Sequence, residues 1–208
     1  MSKIKTAFFC NNCGYESTKW LGKCPSCNQW NTFIEEVIDK GNKNENEWKN
    51  FSDDKRTTKT ISLNEVSSIE EKRIITTDAE LNRVLGGGIV AGSIVLVAGE
   101  PGIGKSTLFL QAGLLLNQLT VLYISGEESE QQIKMRADRL GINNENFYLL
   151  TETATPTIFK EIKKLKPQIV IVDSIQTLQS NLIESSAGSV SQIKECAAEF
   201  HRFAKETN

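Results

Sequence analysis

Residues 93–107 read SIVLVAGEPGIGKST, and this stretch decides the fold. The run 93–98 is dominated by Ile, Val and Leu and predicts a buried strand. Gly99, Glu100, Pro101, Gly102, Ile103, Gly104, Lys105 and Ser106 then satisfy G-x-x-x-x-G-K-[ST] in full, with Thr107 next. A helical pattern over 105–117 follows. Strand, glycine loop and helix in that order are the setting in which this pattern is a phosphate-binding loop. Its glycines let backbone N–H groups curl around a phosphate at a helix N-terminus, whose dipole also favours negative charge. Lys105 is placed to reach the β- and γ-phosphates, and the Ser106 hydroxyl to ligate magnesium. The ligands implied are ATP and Mg2+.

Downstream, strands are predicted at 120–125, 146–150 and 168–172, alternating with helices at 129–140 and 157–165, with a last helix at 190–205. Upstream, 62–66 and 73–77 read as short strands or a lead-in, and 78–85 as a short helix capped by Asp78. Such alternation predicts an α/β fold with a mostly parallel sheet. Asp173 follows the apolar run 169–172. A carboxylate at the carboxyl end of a sheet strand lies in the crevice where these folds bind ligands, and there it can hold magnesium. Hydrolysis also needs a group that orients water. Glu127 and Glu128 end the strand 120–125 and face the same crevice, yet acidic residues also favour a helix N-terminus. The residues alone leave that choice open. The basic residues Lys134, Arg136 and Arg139 on the helix 129–140 could face DNA, a neighbouring subunit or solvent, and solvent is the preferred reading.

The N-terminal residues 1–38 form a separate module. Cys10-x-x-Cys13 and Cys24-x-x-Cys27 have the paired spacing of a four-thiolate structural zinc site, with Gly14 and Pro25 suited to tight turns. Iron–sulfur ligation fits less well, because its compressed cysteine runs are missing. The metal supplies folding energy to a segment too short for a core of its own. Trp20 and Trp30 flank the second pair beside Lys19 and Lys23. Such aromatics stack bases in some proteins, but the reading preferred here makes them the ribbon's minimal apolar core. Residues 39–60, almost wholly polar, read as a flexible linker, and 61–208 as the nucleotide-binding domain. Cys196 is read as a packed small apolar residue, and His201 is given no role.

Bulk properties narrow the classes. The chain has 208 residues, 39% hydrophobic and 24% charged, with a formal net charge of −2. These values are ordinary for a soluble globular protein, and a pI near 5.6 excludes a strongly basic coat for nucleic acid. Apolar runs are too short to span a bilayer, and no secretion signal is seen. The cytoplasm is the expected location.

The sequence resembles a known family. The ordered blocks CNNCG, CPSCNQWNTF, ELNRVLGGGIVAGS, GEPGIGKST, YISGEES, KMRADRLG and IVDSIQT are similar to those of the bacterial RadA (Sms) family of RecA-like ATPases. The resemblance implies a RecA-like P-loop core behind a zinc ribbon. It also implies a DNA-dependent ATPase that binds single-stranded or branched DNA, assembles as a homo-hexamer and promotes branch migration with the RecA recombinase. It assigns the catalytic glutamate to Glu127. Family members continue for about as long again, with a further core strand, a KNRFG motif and a Lon-protease-like domain. The chain is therefore expected to be an N-terminal portion whose sheet lacks the strand between the 93–98 run and the Asp173 strand. Two other readings remain. One is a non-motor fragment that binds DNA or a recombinase. The other is a P-loop kinase or circadian-type RecA-like ATPase that does not act on DNA.

Overall fold

The computed structural model describes residues 5–38, 60, 62–65 and 73–207. The predicted linker, 39–60, lies outside the described residues except for Thr60. Strand β1 (Lys5–Cys10) pairs antiparallel with β2 (Glu16–Ser17) on one side and β3 (Phe33–Ile38) on the other, making a three-stranded ribbon. Leu63–Glu65 forms one 3-10 turn where a strand or lead-in was expected. A small antiparallel pair, β4 (Arg73–Ile74) and β5 (Ile89–Val90), brackets helix α1 (Ala79–Val84). The Asp78 carboxylate accepts from the Leu81 amide at 2.8 Å and so caps α1, satisfying one of the orphan donors of a helix start.

From α2 (Lys105–Leu115) onward the chain alternates regularly. Strand β6 (Val121–Ser125), α3 (Glu130–Leu140), β7 (Phe147–Thr151), α4 (Thr155–Leu165), β8 (Ile169–Asp173) and α5 (Val190–Glu206) follow in turn. The three strands form one parallel sheet in the order β7-β6-β8. Helix α3 starts with a reciprocal capping box between Ser129 and Gln132 and stops at Gly141, which takes the left-handed φ of 66° that glycine tolerates.

The alternation of side chains along each strand divides the core in two. Leu122, Ile124, Val170 and Val172 pack against Ile158, Phe159 and Ile162 of α4 and Phe203 of α5. Tyr123 and Ile171 face the other way, against Leu110 and Leu114 of α2 and Ile133 of α3. All five residues of β6 are buried, as a central strand covered on both faces must be. Cys196 lies buried in the α5 layer, as expected of a small apolar residue.

The run 93–98 departs from its predicted state. It forms no strand, and Ile94, Val95, Leu96 and Val97 are exposed, Leu96 to 79%. A strand exists only through its partners, whatever its intrinsic preference. Among the described residues β8 pairs only with β6, so no neighbour is in place to carry the ladder on to this segment.

What seats the loop is therefore α2. A Cβ built on Gly113 would stand 2.7 Å from Phe147 Cε2 and 2.9 Å from Ile171 Cδ1, so α2 lies on the sheet at a distance only glycine permits. Gly113→Val is expected to lower the unfolding free energy by about 1–3 kcal/mol through overpacking, read as a reduced midpoint in chemical denaturation. An unchanged midpoint would show that α2 is not seated there.

Candidate functional site

All three sheet strands end on one row. Ser125 stands opposite Thr151 on one side and Asp173 on the other. By the alternation along β8, Asp173 shares the face of Ile171, which packs with α2. The glycine loop 99–104 runs into the N-terminus of α2, with Gly102 and Gly104 at φ 81° and 97°. Lys105 turns back on its own loop, donating to the carbonyls of Gly99 at 2.7 Å and Glu100 at 2.8 Å. Glu100, Pro101 and Ile103 are exposed, Ser106 is half-buried, and Thr107 is exposed. Neither Lys105 nor Ser106 hydrogen-bonds to Asp173 among the described residues. What they share with it is the sheet face. The Ser106 hydroxyl and the Asp173 carboxylate are both hard oxygen donors, the type magnesium takes.

The two glutamates are held differently. Glu128 pairs with Arg136 Nη1 at 3.0 Å, and its amide donates to Ser125 Oγ at 3.0 Å. Glu127 is exposed and accepts from Ser174 Oγ at 3.0 Å, next to Asp173 in the chain. A polar cavity of about 250 Å3 opens at the carboxyl ends of β6 and β7, with both glutamates and Glu152 in its lining. The Glu152 carboxyl is held below its usual range by the amides of Ala154 and Thr153.

Sequence reasoning missed three residues here. Tyr123, fully buried, donates its hydroxyl to Asp173 Oδ2 at 2.5 Å. Arg136, read as solvent-facing, points inward with its side chain 20% exposed, because Ile133, Arg136, Ala137 and Leu140 lie on one face of α3. That spacing was the available signal. Gly126, just before Glu127, admits no larger residue, since an added Cβ would fall 2.2 Å from Thr177 Oγ1. Lys134 pairs with Asp138 on the outer side of α3, consistent with exposure.

The cysteine module closes as expected. The Sγ atoms of Cys10, Cys13, Cys24 and Cys27 all lie within 4.8 Å of one another. Cys10 and Cys27 are 3.6 Å apart, and Cys13 and Cys24 3.5 Å. A tetrahedron with Zn–S bonds of about 2.3 Å has edges of roughly 3.8 Å, so the four thiols fit zinc. The two knuckles are built alike: the Gly14 amide donates to the Cys10 carbonyl and the Asn28 amide to the Cys24 carbonyl. Both turns end on a left-handed residue, φ 72° at Gly14 and 59° at Asn28. Burial pushes Cys24 up to about 11. Burial acts the same way on Cys10, but its hydrogen bond with Thr32 and those with the Cys13 and Asn12 amides bring it down to about 6. Such amide donors favour thiolate, the form that binds metal.

The tryptophans correct the sequence reading. The ribbon's core is Cys10, Cys24 and Phe33, with Phe8 and Leu21 against them, while Trp20 is 54% and Trp30 68% exposed. Both indoles approach Gly22, within 3.7 Å and 3.8 Å of where its Cβ would stand, and Lys23 Nζ lies 5.7 Å from the Trp30 ring centroid. Clustered thiols and one phenylalanine suffice for the interior, which leaves the indoles outside.

Residues 8–35 match the rubredoxin metal binding domain family, and residues 62–208 match the AAA domain family. The DNA repair protein RadA of Bacillus subtilis (strain 168) is 50% identical over 208 residues, covering 99% of this chain and 45% of that protein. RadA of Halalkalibacterium halodurans is 49% identical over 209 residues, covering 100% of this chain and 45% of that protein. The chain thus spans just under half the length of these curated relatives. Among solved structures, the flagellar accessory protein FlaH from Methanocaldococcus jannaschii superposes with a TM-score of 0.42 at 19% identity, over 65% of this chain and 67% of that one. No helix among the described residues is long and apolar enough to cross a membrane.

The four thiols are expected to carry one zinc per chain, measured by metal analysis of the purified protein. Replacing Cys24, the most deeply buried ligand, by Ser should lower zinc affinity by tenfold or more and expose the ribbon to protease. A visible absorption band from iron would overturn the assignment.

Proposed function

Because this chain belongs to the AAA domain family, we propose that it binds MgATP at the 99–107 loop and hydrolyses it in the repair of DNA. The observation that supports the reading is that a glycine loop closed by Lys105 runs into α2 on the sheet face that also carries the strand-end acid Asp173. In the bound state Lys105 leaves the carbonyls of Gly99 and Glu100 for the β- and γ-phosphates, exchanging two neutral acceptors for charged ones. Backbone amides of Gly102, Ile103, Gly104, Lys105 and Ser106 surround the phosphates, with Thr107 beside them. Ser106 and Asp173 would hold magnesium, which would supply charge neutralisation to the phosphoryl oxygens. Glu127 orients the attacking water. Its neighbour Glu128 is committed to Arg136, which supports giving that role to Glu127.

The target proposed is single-stranded or branched DNA, in branch migration alongside the RecA recombinase, with the protein acting as a homo-hexameric ring. These points follow the resemblance to the DNA repair protein RadA of other bacteria. The domain division proposed is a zinc module at 1–38, a linker at 39–60 and the ATPase core at 61–208. The exposed indoles of Trp20 and Trp30, with Lys23 beside them, supply a surface on which unpaired bases can stack. A second reading, nucleotide-independent binding of DNA or a recombinase, draws on the exposed 93–98 run, which stands outside the sheet.

Lys105→Ala is expected to reduce ATP turnover by about 10²–10³-fold and to abolish MgATP binding by titration calorimetry. Single-stranded DNA should stimulate the parent protein's turnover, and Trp30→Ala should weaken DNA binding by about 1–3 kcal/mol. DNA binding untouched by Lys105→Ala, together with no turnover in the parent protein, would favour the second reading.

A further inference from the structure

We propose that Tyr123 and Arg136 are positioning residues that hold the Asp173 carboxylate in the orientation magnesium requires. The inference rests on the MgATP reading above and adds to it two side chains that the phosphate-loop pattern does not contain.

The contacts form a closed circuit. Tyr123 donates to Asp173 Oδ2 at 2.5 Å, and Arg136 Nη2 lies 4.0 Å from the same oxygen. Arg136 Nη2 also donates to the Tyr123 hydroxyl at 3.3 Å, while its Nη1 pairs with Glu128 Oε1 at 3.0 Å. Glu128 adjoins Glu127, which accepts from Ser174, and Ser174 adjoins Asp173. The acids at the ends of β6 and β8 are therefore tied through one guanidinium on α3. Only Oδ2 of Asp173 is engaged; Oδ1 carries no hydrogen bond among the described residues and is left for the cation or its water.

The chemistry suits a fixed orienting role. The Tyr123 hydroxyl is buried and gives its one proton to Asp173 Oδ2. Arg136 cannot lose its charge. A phenol in a packed core costs free energy unless its hydroxyl has a partner, and a phenylalanine would fill the same space between Leu110 and Ile133. The tyrosine oxygen therefore adds a hydrogen bond to the carboxylate rather than packing. Ligating carboxylates are commonly oriented by such outer partners, whose loss costs about 10–100-fold in metal affinity.

The test compares the full chain with Tyr123→Phe and Arg136→Gln. Binding of a fluorescent ATP analogue is followed while Mg2+ is titrated, and again in EDTA. The expected result is a rise of about tenfold in half-saturating Mg2+ for each variant, with metal-free nucleotide affinity and thermal midpoint unchanged for Tyr123→Phe. Turnover at saturating Mg2+ should be largely recovered, which a merely structural defect would not allow. Should one variant fail to fold by circular dichroism, the other reads the same shift. An unshifted Mg2+ dependence in a folded variant overturns the positioning role while leaving the MgATP reading standing. No Mg2+-dependent binding by the parent chain overturns both.

Discussion

The register between β6 and β8 is the constraint from which the nucleotide end of this molecule is built. Five rungs, from Val121 opposite Ile169 to Ser125 opposite Asp173, run parallel without a break. Because side chains alternate with a period of two, a slip of one residue would turn Asp173 toward α4 and α5 and move Val170 and Val172 out of their core. It would also separate Tyr123 from Asp173, since their meeting across the ladder needs both on the α2 face. The apolar content of the strands thus fixes the acid's direction: burying Val170 and Val172 on one side leaves Asp173 no choice but the other.

Helix α2 supplies the second half of the geometry, and does so without a strand leading into it. Leu110 and Leu114 are buried against Tyr123 and Ile133, each contributing about 1.5–3 kcal/mol relative to exposure. The close approach at Gly113 sets the helix height above the sheet. The 93–98 run contributes none of this, being exposed. The loop's place is therefore dictated from its C-terminal side, by the helix, and its own curl is closed by Lys105 on the carbonyls of Gly99 and Glu100. An apolar, unpaired segment of this kind is a template for a further strand.

Most of this was legible in the sequence where the determining interactions are local. The helix 129–140 announced itself through Ser129 and Gly141, and the structure uses both as caps. The paired cysteines fixed a cluster because two-residue spacing on a tight turn brings thiols together by geometry alone. Non-local pairing was harder to read. The 93–98 run has strand composition, but composition cannot say whether a neighbour is present. Arg136 was misassigned because its charge was weighed and its position three residues after Ile133 was not. The tryptophans were taken for core because a ribbon has few other large side chains, whereas thiols 3.5–3.6 Å apart already fill that space. Tyr123 left no signal beyond an aromatic in a buried strand; its hydroxyl's partner lies 50 residues away.

The metal ribbon and the ATPase body are also not independent in space. Lys194 of α5 donates to the Cys13 carbonyl at 2.9 Å, and Val190 lies 3.1 Å from the point where a Gly14 Cβ would stand. The first zinc knuckle therefore rests on the opening turns of α5. That same helix buries Cys196 and Phe203 against the sheet, and its Gln192 binds the carbonyls of Ser180, Ile183 and Ser185 in the segment that follows β8. A path of direct contacts runs from the thiolate turn, through α5, to the chain leaving Asp173. Mutual geometry of this kind requires the knuckle to keep its shape, and a knuckle of five residues keeps it only when its thiols are closed on a metal. The first knuckle thus supplies the surface on which α5 begins.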